Sequence, residues 1–153
     1  MRIVIGEDEA LLREALAGLL TGAGHDVVGM AGDGPGLVRR AEAQRPELVI
    51  ADVRMPPTQR DEGLRAARDI RAAAPATAIL VLSHHLQVRY AVELLALGPR
   101  ATGYLLKQRM ADSARFLSSI GEIAAGGTVL DAELDVLAVA RFAARRGAVT
   151  EPG

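Results

Sequence analysis

Five times in succession, a short apolar run of strand character gives way to a longer segment whose apolar residues fall three and four apart. Arg2-Ile3-Val4-Ile5-Gly6 reads as a buried strand, and Glu9 to Ala23 follows with Leu11, Leu12, Ala15, Leu16, Leu19 and Leu20 at helical spacing, closed by Gly22 and Gly24. Asp26 to Ala31 predicts a second strand and Gly36 to Arg45 a second helix, which Pro46 ends by excluding the helical conformation from the residue before it. Leu48 to Ala51 forms the third strand and delivers Asp52 at its end. A loop with Pro56 and Pro57 leads to a helix from about Glu62 to Ala74. Ala78 to Leu82 is the fourth strand, ending in Ser83, and Val88 to Leu97 the fourth helix. Gly103 to Leu106 is the fifth strand, with Lys107 just beyond it. Ala111 to Ala125 is the fifth helix, with Phe116, Leu117, Ile120, Ile123 and Ala124 on one stripe. Such an alternation predicts an α/β domain, a doubly wound five-stranded parallel sheet with helices on both faces.

After Gly126-Gly127 the alternation stops, which divides the chain into a domain over 1–127 and a segment over 128–153. Asp131 to Arg146 predicts an extra C-terminal helix anchored by Leu134, Leu137 and Phe142. Arg141, Arg145 and Arg146 suit its C-terminal end, and Gly147 to Gly153 reads as a loose tail. The 153 residues are enough for one domain that needs no staple, and there is no Cys, which excludes disulfides, thiolate zinc sites and thiol nucleophiles. A net charge of −1 gives no global pull toward nucleic acid or an anionic membrane. The longest stretch free of Asp, Glu, Lys and Arg, Ala72 to Val88, carries Pro75, Ser83, His84, His85 and Gln87, so it is no membrane span. Glu7, Asp8 and Glu9 stand where a secretory signal would be apolar, and the expected location is the cytoplasm.

In a doubly wound sheet, ligands bind outside the carboxyl ends of the strands. Strand one brings Glu7 and Asp8 there, strand three Asp52, strand four Ser83 and strand five Lys107. Of the 18 basic residues, 17 are Arg and Lys107 is the single Lys, a compact ammonium where the chain otherwise uses planar guanidinium. Three carboxylates together repel one another unless a cation intervenes, and a hard divalent ion such as Mg²⁺ removes that conflict through oxygen ligands. With a hydroxyl and an ammonium on the same rim, the set fits phosphoryl transfer onto a carboxylate.

At these residues the chain resembles the response-regulator receiver domain of two-component signalling. Ile5-Gly6-Glu7-Asp8, Asp52-Val53-Arg54-Met55-Pro56, Leu82-Ser83 and Gly103-Tyr104-Leu105-Leu106-Lys107 carry the resemblance, which spans about Met1 to Gly127. It implies the flavodoxin-like receiver fold, Asp52 as phosphoacceptor, and Mg²⁺ held by Glu7, Asp8, Asp52 and the backbone carbonyl of Arg54. Ser83 would be the switch hydroxyl, Tyr104 the aromatic that follows it, and Lys107 the partner of the phosphoryl group. It further implies a sensor histidine kinase as partner, homodimerisation on phosphorylation, and no turnover of an external substrate. The Met55-Pro56-Pro57 loop and the Gly-Tyr-Leu-Leu-Lys strand look most like regulators that precede a LuxR-type helix-turn-helix effector, through which transcription would be controlled.

The chain departs from the family pattern at several places. Glu7 stands for the commoner first Asp, keeping the charge and adding a methylene; His84 follows Ser83 where many relatives have a small residue. Arg54 and His85 sit two beyond Asp52 and Ser83, where relatives tune phosphate hydrolysis, and Gln108 follows Lys107 where many have a cis proline. The family's DNA-binding module would begin near Val149-Thr150-Glu151, so the expectation is a truncated regulator or a receiver acting through protein contacts, with DNA reached only through an effector outside these residues. The alternative is a receiver-like interaction module that works unphosphorylated. Gly32-Asp33-Gly34-Pro35-Gly36 tempts a dinucleotide reading but has Leu37 where the third Gly belongs and follows the second strand. A phosphatase of the aspartyl-phosphate type resembles its relatives in having a second Asp two residues on, where Arg54 stands.

Overall fold

A computed structural model describes residues 1–150 of the chain. Its strands are β1 (Arg2–Gly6), β2 (Asp26–Ala31), β3 (Leu48–Asp52), β4 (Ala78–Ser83), β5 (Thr102–Leu106) and β6 (Thr128–Leu130). Between and after them run the helices α1 (Ala10–Gly22), α2 (Gly34–Gln44), α3 (Glu62–Ala73), α4 (Val88–Ala96), α5 (Ser113–Ala124) and α6 (Val136–Thr150). All strands pair in parallel, in the order β2-β1-β3-β4-β5-β6. β3, β4 and β5 are buried along their whole length, as their unbroken apolar runs require of strands covered on both faces. One face packs on α1 and α5 through Leu16, Leu20, Phe116, Ile120 and Ile123. The other packs on α2, α3 and α4 through Leu37, Ala66, Ile70, Ala91 and Leu94.

The sheet has six strands where the sequence predicts five. Thr128, Val129 and Leu130 pair with Thr102, Gly103 and Tyr104, after Gly126, at φ 103°, turns the chain back from α5. A run of three residues is too short to display a period, so β6 leaves no pattern to read. α6 is present, but its register differs from the expectation. Val139 and Phe142 pack toward α4, and Leu134 is buried from the turn before the helix, whereas Leu137 points out and is 70% exposed. The helix also continues through Gly147 to Thr150, where a loose tail was expected; Glu151 to Gly153 lie outside the described residues, as does the side chain of Arg146. The expected fifth helix from Ala111 is preceded by a 3₁₀ turn over Lys107–Ala111, and α5 itself starts after Asp112, whose side chain accepts from the Arg115 N–H at 3.3 Å. Among the described residues the cis peptide bond is Pro56–Pro57, so the bond after Lys107 is trans.

Two charged side chains that the periodicity passes over turn out to be buried. Arg71, at the end of α3, donates to the carbonyls of Thr77 (3.1 Å) and Ala101 (3.0 Å) and to the Thr102 hydroxyl (3.2 Å), tying the helix to the amino edges of β4 and β5. Asp131 lies between β6 and α6, paired with Arg109. At the opposite edge of the sheet, α3 enters very close to β3. A Cβ on Gly63 would fall 1.8 Å from the Asp52 carbonyl oxygen, and the Gly63 N–H donates to the Val53 carbonyl at 2.9 Å. Only glycine permits that approach. Gly63→Ala is therefore expected to cost about 3 kcal/mol, the upper range for overpacking, read as a lowered urea midpoint; an unchanged midpoint would show that α3 can retreat without loss.

Candidate functional site

The register of the sheet assembles the site. Gly6 is level with Ala51, Asp52 with Leu82, and Ser83 with Leu106. The residues that follow each strand therefore emerge side by side on the carboxyl edge, next to the place where the chain order reverses between β1 and β3. Lys107 leaves β5 at that edge and turns its ammonium inward. Its Nζ lies 2.7 Å from Asp52 Oδ2 and 2.8 Å from Glu7 Oε1, and all three residues are buried. Asp8 completes the group, with carboxylate oxygens of Glu7, Asp8 and Asp52 within 4.8 Å of one another.

These charges act on one another strongly. Burial pushes the Glu7 carboxyl up to about 7, with the Asp52 charge adding to it and the hydrogen bond from Lys107 opposing it. Burial also opposes ionisation of Lys107, but its hydrogen bonds to Asp52 and Glu7 outweigh that and raise its pKa. Asp8 is less enclosed; burial works against its charge, yet hydrogen bonding with Glu7 and Gln59 holds it below the ordinary carboxylate range. One ammonium among three carboxylates leaves the group short of positive charge, and an all-oxygen donor set of this kind suits a hard divalent cation.

Above the group opens a cleft of about 240 Å³, lined by Asp8, Asp52, Arg54, Gln59, Ser83, His84, His85, Tyr90 and Lys107. The Arg54 N–H faces Asp52 Oδ1 at 3.4 Å. Ser83 sits on the wall, but its hydroxyl is engaged within its own loop: it donates to the His85 carbonyl at 2.5 Å and accepts from the His85 N–H at 3.3 Å. Tyr104 does not line the cleft. Its ring is fully buried beneath α4, burial raises its phenol pKa, and its hydroxyl accepts from the Gln87 N–H at 3.0 Å. The structure thus brings together Glu7, Asp8, Asp52 and Lys107, keeps Ser83 and Arg54 at the rim, and sets Tyr104 behind it.

Sequence reasoning passes over Gln59, whose side-chain amide donates to Asp8 Oδ2 at 3.1 Å from a backbone at φ 57°. A non-glycine residue in the left-handed region gives no sign of itself in a pattern of apolar residues. The loop that carries it is held by a hydrogen bond from the Thr58 hydroxyl to the buried carboxylate of Glu62.

The receiver domain of response regulators matches residues 3–117 of the chain. Over 148 residues the chain is 30% identical to the oxygen regulatory protein NreC of Staphylococcus carnosus, a span covering 96% of this chain and 65% of that one. It is 49% identical over 69 residues to the transcriptional regulatory protein PdtaR of Mycobacterium tuberculosis, 45% of this chain and 32% of the other. The chain therefore spans about a third to two thirds of the length of these relatives. Among solved structures, a LuxR-family two-component response regulator from Aurantimonas sp. superposes with a TM-score of 0.74 at 24% identity, covering 96% of this chain and 97% of that one. The signal receiver domain of the putative response regulator NarL from Mycobacterium tuberculosis does so with a TM-score of 0.65 at 30% identity, covering 78% and 95%.

The buried group makes a prediction about stability. A carboxyl whose folded pKa is raised binds its proton more tightly when folded, so Glu7's contribution is complete below its ordinary value near 4.5 and is lost as pH rises through about 7. Lys107→Met removes the counter-charge and leaves Glu7 and Asp52 facing each other. Denaturant titration should show a loss of about 3 kcal/mol in mildly alkaline buffer and a clearly smaller loss in mildly acidic buffer, where Glu7 carries a proton. Equal losses at both would show that Lys107 does not hold the charge of Glu7.

Proposed function

The chain belongs to the response regulator receiver family, and on that footing we propose that Asp52 accepts a phosphoryl group from a sensor histidine kinase or a small phosphodonor. The observation that carries this is the buried Asp52–Lys107–Glu7 cluster at the floor of an open cleft, with Asp8 beside it. An Asp52 oxygen attacks phosphorus, a P–O bond to the carboxylate forms, and the P–N or P–O bond to the donor breaks with its electron pair leaving on imidazole or acetate. Glu7, Asp8 and Asp52, with the Arg54 carbonyl, would hold Mg²⁺. The bound ion supplies positive charge to the phosphoryl oxygens. Lys107 starts 2.7 Å from the acceptor and supplies the second cation without moving far.

Phosphorylation adds charge to a group already short of cations. The Ser83 hydroxyl, bonded here within its own loop, leaves the His85 carbonyl and donates to a phosphoryl oxygen. That shift reaches Tyr104 through the Gln87 N–H on its hydroxyl and repacks the surface around α4, β5 and α5. This surface, or the α1 and α5 faces, then forms a homodimer or meets a partner, and control of transcription runs through an effector beyond residues 1–127, with 128–153 as the connecting segment. The chain catalyses its own phosphorylation and dephosphorylation rather than turning over an external substrate, and it works in the cytoplasm; no described helix is long and apolar enough to cross a membrane.

Intact mass after incubation with acetyl phosphate tests the reading. The expected result is a single phosphoryl adduct that needs Mg²⁺ and is absent from a folded Asp52→Asn variant. Full labelling of that variant would overturn it.

A further inference from the structure

Asp131 lies past residue 117, where the family match ends, yet it is among the most enclosed charges of the molecule, 2% exposed. Its Oδ2 accepts from the Leu106 N–H at 2.9 Å and from Arg109 Nε at 2.9 Å, while its Oδ1 accepts from Arg109 Nη2 at 2.8 Å and from the Glu133 N–H at 3.0 Å. Its own N–H donates to the Tyr104 carbonyl at 2.8 Å. Leu106 immediately precedes Lys107, and Arg109 is two residues beyond it. One buried carboxylate therefore grips the chain on both sides of Lys107.

That grip falls where the sheet gives out: Leu106 is the last residue of β5 paired with β4, opposite Ser83. β5 ends at Leu106, the residues after it form a 3₁₀ turn, and Gln108 is exposed. Lys107 reaches its two carboxylates at the end of a flexible four-carbon stem, so the place of its Nζ depends on where its Cα is held. A bidentate pair between guanidinium and carboxylate fixes that place in direction as well as distance.

We propose that Asp131, together with Arg109, is a positioning residue for Lys107, setting where the ammonium meets the phosphoryl group. This rests on the reading of Asp52 as the acceptor. The lone Lys of the chain supplies a direct probe, because lysine labelled with ¹³C at Cε gives one resonance, that of Lys107. The full chain, Arg109→Met, Asp131→Asn and the double variant are compared by that resonance, by the rate of phosphorylation from acetyl phosphate at saturating Mg²⁺, and by melting temperature.

Each single variant is expected to shift the resonance and slow phosphorylation roughly tenfold, the scale set by a small misplacement of a reacting group. The double variant should be no slower than either single one, since both act through the same contact. A wild-type resonance, or a wild-type rate with only a lower melting temperature, overturns the proposal and leaves the pair a structural clasp. If Asp131→Asn does not fold, Arg109→Met decides, because its guanidinium is partly exposed. If the unaltered chain takes no phosphoryl group, the acceptor reading fails, and the Lys107 resonance alone then decides whether Asp131 holds the ammonium.

Discussion

A lysine ammonium clasped between two buried carboxylates organises this molecule. Removing Lys107, Asp52 and Glu7 from water costs several kcal/mol for each ion, and their mutual attraction offsets this only when the geometry is close. The distances of 2.7 and 2.8 Å meet that condition, but for two carboxylates and not for three. Glu7 answers by holding its proton more tightly, and Asp8 by staying nearer to solvent. The site is therefore built with a deficit of positive charge, which suits it to a divalent cation.

That deficit can exist because the rest of the fold is ordinary. Three strands buried end to end and helices on both faces give a rigid edge, and the carboxylates sit on it rather than on mobile loops. Gly63 lets α3 start against the Asp52 carbonyl, closing one side of that residue. On the other side β6 and α6 extend the same body past the last regular βα unit, with Leu134, Val139 and Phe142 packed against the α4 side of Tyr104. The surface expected to respond to phosphorylation is thus partly covered by the chain's own C-terminal helix, so a change at Asp52 and a change in the seating of α6 share one packing cluster.

The candidate site was legible in part because its chemistry sits at strand ends, where an apolar run stops at a charge. Asp52, Lys107, Glu7 and Asp8 carry that mark, and so does Ser83. The hydroxyl of Ser83 nonetheless bonds inside its own loop, which depends on a backbone path that a pattern of residue types does not encode. Gln59 carries no such mark, and Asp131 carries it only after Thr128-Val129-Leu130, a run too short to read as a strand. Each acts through a contact with a residue far away in the chain, Gln59 with Asp8 and Asp131 with Leu106 and Arg109. Leu137 shows the reverse error: apolar and at helical spacing, it still faces outward, because the seat of α6 on α4 chooses which stripe of the helix is buried.

By itself the sequence determined the alternation of strands and helices, the parallel sheet and the residues at its carboxyl edge, because these follow from periodicity and from the chirality of βα crossovers, which are local. The tertiary structure alone decided that β6 joins the sheet, that Lys107 is shared between Asp52 and Glu7, that Asp131 grips both sides of Lys107, and that α3 abuts Asp52 at Gly63. Each of these is a meeting of groups distant in the chain. Burial and electrostatics then set its energy through the surroundings the fold provides, which no segment carries on its own.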